Sequence, residues 1–298
     1  MKPVLKILAY IFGGLIALIL IGFAGVYGFT SYRINRNHEM HVGMIPIPTD
    51  QAALARGKHL AESVGKCQAC HGDNYAGKVV MDAPVFVNLT SSNLTSGKGG
   101  IGKLYRDEDW VRSIRYGVGP TGKSLVFMPS EAYTHLNDAD LGALIAYLKT
   151  LPPADLAVTP KRSVGPIGRI VYLTSGFALL PAELIDRGSR EAPVRQGVTK
   201  EYGEYLAEVG GCTSCHGASL SGGDPIDNVK ASNLTPGGPV GKWTEADFMT
   251  ALRTGKRPDG TVISAVMPWP YMKGLTDDEV RAMWMYVHTV PAKGLGEK

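Results

Sequence analysis

The four cysteines of this 298-residue chain stand in two C-x-x-C-H motifs: Cys67, Cys70 and His71, then Cys212, Cys215 and His216. On a helical turn, residues i, i+3 and i+4 share one face. Two thiols and an imidazole on one face suit a zinc site, a redox dithiol, or thioether attachment of a c-type haem with the histidine on its iron. Two copies, each with its adjacent histidine and both behind a long apolar N-terminus, favour the last. The expectation is two covalently bound haem c groups, with His71 and His216 as iron ligands. No cysteine is left over for a disulfide or a third attachment.

A sixth iron ligand must then come from far along the chain. Met128 and Met267 are each followed by proline and lie 139 residues apart, close to the 145 separating Cys67 from Cys212. A thioether is soft and favours Fe(II), so a methionine ligand raises the potential relative to a second histidine. Both methionines are assigned as iron ligands. Met272 and His135 have no counterpart in the other repeat, and His59 aligns with Glu204; the two histidines are read as surface residues. Arg115 and Arg253 recur before the methionine loops. Their forked guanidinium groups suit carboxylates, which makes them candidate contacts for haem propionates.

These residues need elements to hold them. Asn93-Leu94-Thr95 recurs as Asn233-Leu234-Thr235, and Arg115 and Gly117 recur as Arg253 and Gly255, so the chain carries a duplicated unit. The N-L-T triplets also match a glycosylation sequon, but their recurrence fits loop architecture better. Helical patterns open the repeats near 51–65 and 199–210. Thr276 to Glu279 reads as a capping box, followed by Val280, Met283, Trp284 and Val287 at helical spacing, with a stop at Pro291. The first repeat copies this with Asn137, Leu141, Leu144, Ile145 and Leu148, and stops at Pro152. A short helix is expected around Asp107–Tyr116. No alternating strand pattern stands out, so the fold class is mainly α. The division is 1–32 anchor, 33–50 linker, 51–152 first domain, 153–198 interdomain segment and 199–298 second domain.

Ile7 to Tyr32 is a run of 26 residues without a charge, longer than the roughly 20 a membrane-spanning helix needs. A cleaved signal would have a shorter apolar core and a small-residue cleavage site; a retained transmembrane anchor is the reading taken. Net charge is +4 on 58 charged groups, too even a balance for nucleic-acid binding. Between the repeats, Val164 to Ile185 is apolar but interrupted by Pro166, Arg169 and Pro181, which excludes a second span. It is read as a crossover helix packed between the two domains, with a basic, apolar segment that lies at the lipid surface or docks a partner as the alternative.

The stretches C-T-S-C-H-G-A, N-L-T-P-G-G, G-K-W-T-E-A-D-F, A-L-R-T-G-K-R-P-D-G, V-M-P-W-P-Y and L-T-D-D-E-V resemble the multihaem cytochrome c subunits of bacterial alcohol and gluconate dehydrogenases. The resemblance implies two tandem class I cytochrome c domains with the ligands assigned above. Those subunits look like three-haem chains, whereas this one carries two motifs. As a family property, haem is attached outside the bacterial cytoplasmic membrane, which implies haem domains on the periplasmic side. The function implied is single-electron transfer in a respiratory chain. The partners would be a dehydrogenase or quinol-oxidising complex and a terminal oxidase or other acceptor. A dihaem peroxidase is the alternative; it would need one iron with an open sixth position.

Overall fold

A computed structural model describes every residue except 1, 41, 176–178, 187–191, 224 and 227–228. Helix α1 (Lys2–Asn35) is one long apolar rod, and its stretch Pro3–Asn35 is long and apolar enough to cross a membrane. Its apolar side chains from Val4 to Phe23 stand exposed.

In the first half, Asp50 caps α2 (Gln51–His59) by accepting from the Ala53 amide, and the helix continues through a π-helical turn at Leu60–Val64. The C-x-x-C-H residues form α3 (Cys67–His71). Strands β1 (Val79–Ala83) and β2 (Val87–Thr90) follow as an antiparallel pair. Next come α4 (Asp107–Tyr116), α5 (Ser130–Tyr133), and α6 (Asp138–Lys149), which Asn137 caps at the Asp140 amide. Acidic residues fill the first turn of α4 and oppose its dipole. Strand β3 (Arg162–Val164) and α7 (Pro166–Thr174) lie between the halves in sequence.

The second half repeats the helices: α8 (Lys200–Val209), α9 (Cys212–His216), α10 (Glu245–Thr254), α11 (Trp269–Met272) and α12 (Asp277–Thr289). The capping box of Thr276 and Glu279 is formed, and Val280, Met283 and Val287 are buried. In each half the opening helix packs on the closing one, α2 on α6 and α8 on α12. Both crossings occur at a glycine. A Cβ on Gly57 would lie 2.0 Å from the Ala143 carbonyl oxygen, and one on Gly203 would lie 1.9 Å from that of Ala282. Alanine is ordinarily the better helix former by about 1 kcal/mol, but here the backbone contact overrides propensity. Gly203→Ala is expected to cost about 1–3 kcal/mol of stability by overpacking. Chemical denaturation measures this, and an unchanged midpoint would contradict the close crossing.

Three features depart from the sequence reading. First, β2 pairs with β1 on one side and with β3 on the other, Val87 opposite Val164 and Leu89 opposite Arg162, making a three-stranded sheet. Strands this short carry too few alternations to be read from a pattern. Second, residues past 152 bond to the first half. The Asn93 amide and Thr95 hydroxyl both donate to the Ala154 carbonyl, and β3 completes the sheet. Third, Tyr172 of α7 packs with Val87 and Val126 of the first half, and the helix has a second neighbour. It lies against the end of α1, where the Arg169 guanidinium donates to the hydroxyls of Thr30 (2.5 Å) and Ser31 (2.9 Å). Residues 176–178 and 187–191 of the interdomain segment lie outside the described residues.

Candidate functional site

Each C-x-x-C-H helix opens onto a cavity. The first, about 260 Å³, is lined by Cys67, Cys70, His71 and Met128; the second, about 250 Å³, by Cys212, Cys215, His216 and Met267. Residues far apart in sequence but matched between the repeats are thus brought together twice. Met272 also lines the second cavity, so that cavity offers two thioethers where the first offers one.

The histidines are held alike. His71 Nδ1 lies 2.7 Å from the Ser92 carbonyl oxygen, and His216 Nδ1 lies 2.7 Å from that of Ser232. A carbonyl only accepts, so in each ring Nδ1 carries the proton and Nε2 keeps its lone pair. Burial lowers the pKa of both imidazoles, which favours the neutral ligand form. The N-L-T triplets fix the loops that carry Ser92 and Ser232. Asn93 Oδ1 accepts from the amide and hydroxyl of Thr95, and Asn233 does the same with Thr235. Both asparagines are buried, which excludes the sequon reading in the folded chain.

A redox dithiol needs a depressed thiol pKa. Here burial pushes Cys67 up to about 12 and Cys212 up to about 11. Among the described residues, no three His, Cys, Asp or Glu side chains converge as a zinc site requires. A c-type haem fits better. The first cavity has a predominantly apolar lining, with thiols and imidazole on one side and a thioether also in its wall. The Trp110 indole N–H in that wall is buried without a hydrogen-bond partner, an unmet donor suited to a carboxylate.

The two candidate propionate arginines are engaged elsewhere. Arg115 bonds the Leu136 carbonyl at 2.7 Å and pairs with Asp138 at 2.7 Å; Arg253 bonds the Lys273 carbonyl and pairs with Asp277 at 3.0 Å. Neither lines its cavity. Each pins the start of its closing helix. Arg162 lines the first cavity and Arg257 the second. Sequence reasoning passed over both: Arg162 falls outside the repeats, and Arg257 was given no counterpart in the first repeat.

The cavities adjoin. Gly65, Lys66, Pro129, Tyr133 and Pro268 line both. Contacts across the halves are reciprocal: α5 packs on α8, and α11 on the turn Leu60–Val64. The Lys66 ammonium donates to the Val64 carbonyl of its own half at 2.8 Å and to the Gly210 carbonyl of the other at 2.6 Å. Its backbone adopts a left-handed φ of 52°, at the position Gly211 holds in the second motif with a φ of 69°. That conformation costs a non-glycine residue about 1 kcal/mol, and the two hydrogen bonds offset it.

A second set of interdomain contacts is polar. Arg56 forms a fork with Asp140 at 2.9 and 2.7 Å and reaches Glu279 at 3.4 Å. His59, read above as a surface residue, instead pairs with Glu279 at 2.8 Å, and Tyr202 and Tyr205 donate to Glu279 and Asp140. His135 lies 3.6 Å from Glu208 of the other half.

Residues 52–148 match the family model of cytochrome c oxidase, cbb3-type, subunit III. The chain is 30% identical to the fructose dehydrogenase cytochrome subunit of Gluconobacter japonicus, over 83% of this chain and 54% of that one. It is 30% identical to the gluconate 2-dehydrogenase cytochrome c subunit of Pantoea cypripedii, over 82% of this chain and 61% of that one. A diheme cytochrome c-type protein of Cereibacter sphaeroides is 26% identical, over 94% of this chain and 97% of its own length. The chain therefore spans little more than half of the two dehydrogenase subunits and nearly all of the diheme protein.

Proposed function

Starting from a chain homologous to cytochrome c subunits of membrane dehydrogenases and to a diheme cytochrome c, we propose that it is a membrane-anchored dihaem electron-transfer protein. Its two haem domains would stand on the periplasmic side of a bacterial inner membrane. There they would pass single electrons between a dehydrogenase or quinol-oxidising complex and a terminal oxidase or other acceptor.

The observation that carries this reading is the matched donor set on two adjoining cavities. Cys67 and Cys70 in one half, and Cys212 and Cys215 in the other, would each anchor one haem by thioethers. His71 and His216 would take the proximal iron positions, held in the correct tautomer by Ser92 and Ser232. Met128 and Met267 would take the distal positions. The bound group supplies a reversible one-electron change at its iron. The protein's part would be to close both axial positions, keep the pockets apolar, and hold the two sites side by side through Lys66 and Tyr133. Arg162 and Arg257 are the residues placed to meet propionates. With both axial positions so filled, neither iron would offer a position to peroxide.

An optical redox titration of the purified protein tests the reading. Two one-electron transitions with two haem c per chain are expected; a single haem, or one site without a reversible transition, would overturn it.

A further inference from the structure

The segment between the repeats supports the first half through the Ala154 carbonyl, β3 and the Leu179 carbonyl, which accepts from the Phe127 amide, yet its helix is also built against the anchor. Arg169 of α7 reaches the hydroxyls of Thr30 and Ser31, and its guanidinium lies over the Tyr27 ring, 4.4 Å from the centroid. Arg33 of α1 forks onto Glu183 at 2.9 and 2.5 Å, and Tyr172 of α7 also donates to Glu183. The apolar run of α1 is 26 residues long, Ile7 to Tyr32, and a hydrocarbon core takes up about 20. The stretch from Tyr27 to Arg33 therefore lies where the chain leaves the lipid. Tyr27 and Tyr32 suit that headgroup level.

Helix α7 is fixed to α1 at that same level. Its Gly168 and Tyr172 are buried, while Ile167 and Ile170, three residues apart on one face, are 52% and 50% exposed. Neighbouring elements add to this: Val85, whose carbonyl accepts from the Ile167 amide, and Leu184, next to Glu183, are 57% and 53% exposed. Water offers no reason to display this set of apolar side chains beside a membrane exit, whereas the acyl–headgroup boundary does.

We propose that α7 is a second, monotopic membrane contact: its Ile167–Ile170 face enters the lipid interface beside the exit of α1 and sets the orientation of the haem domains to the bilayer. The inference rests on the anchor reading above. Lipid is the occupant because α7 is bonded to the stretch of α1 that leaves the span.

The full-length holoprotein, reconstituted in vesicles of phosphatidylethanolamine and phosphatidylglycerol, tests this with a single thiol at Ile170→Cys and a membrane-impermeant maleimide. Val262→Cys, at an exposed site of the second half, serves as the water-facing control, and the parent chain gives the background. Flotation with the vesicles reports the anchor independently. If the inference holds, both variants float and the thiol at 170 reacts about tenfold or more slowly than the thiol at 262, because an apolar medium raises a thiol pKa by a unit or more. Flotation with equal rates leaves the face in water, open to a protein subunit, and overturns the inference while sparing the anchor. Failure to float overturns both.

Discussion

Replacing Met128 with alanine is expected to open one iron: one of the two ferrous haems then binds carbon monoxide, and its midpoint potential falls. Met267→Ala is expected to do the same to the other haem. A methionine ligand stabilises Fe(II), so its loss shifts the couple toward Fe(III). Met272 shares the second cavity with Met267, which makes Met272→Leu the informative control. It should leave spectrum and potential unchanged if Met267 is the ligand, and should open the iron if the roles are exchanged. If Met128→Ala and Met267→Ala both retained native spectra and potentials, the distal assignments would be wrong.

The second large effect concerns how the halves are held together. Arg56 is the cation that Asp140 and Glu279 share, with side-chain exposures of 14%, 10% and 5%. Removing it leaves two carboxylates with little water to replace it, and breaking a buried pair in this way costs about 3–5 kcal/mol. Arg56→Ala should lose stability on that scale in denaturant. A loss below about 1 kcal/mol would mean the cluster behaves as a surface pair. The network also predicts a pH dependence. Burial alone would raise the Glu279 carboxyl; hydrogen bonds from His59 and the Thr276 amide, with the charges of His59 and Arg56, outweigh burial and hold it below its usual value. A depressed carboxylate stabilises the fold fully above its unfolded pKa of about 4.3, and this contribution is lost as pH falls through the lower folded value. The thermal midpoint should therefore drop on acidification below that range, and drop less in Glu279→Gln.

The parts of this molecule legible in its sequence were those with local signatures. Capping at Asn137 and at Thr276, and the helical spacing of Leu141, Leu144 and Leu148 or Val280, Met283 and Val287, depend on residues within two turns of one another. The grouping of Cys67, Cys70 and His71, and of Cys212, Cys215 and His216, was legible because their spacing puts each set on one helical turn. The sheet was not: β1 and β2 are short, and β3 comes from a segment more than seventy residues beyond its partner. The bonds of Arg115 and Arg253 to the start of the next helix were not legible, because a basic residue at a helix end reads alike whatever it meets. His59 misled because its partner Glu279 lies 220 residues away and no periodicity points across that distance. Gly57 and Gly203 show the same limit: only the crossing helices reveal why a side chain is absent there.

Two matched sites that close both irons would do nothing but exchange electrons. Carbon monoxide added to the dithionite-reduced wild-type protein, followed by absorbance, tests it most directly. No binding is expected at either haem. Ready binding by one haem would contradict it and leave that half with a missing or labile sixth ligand.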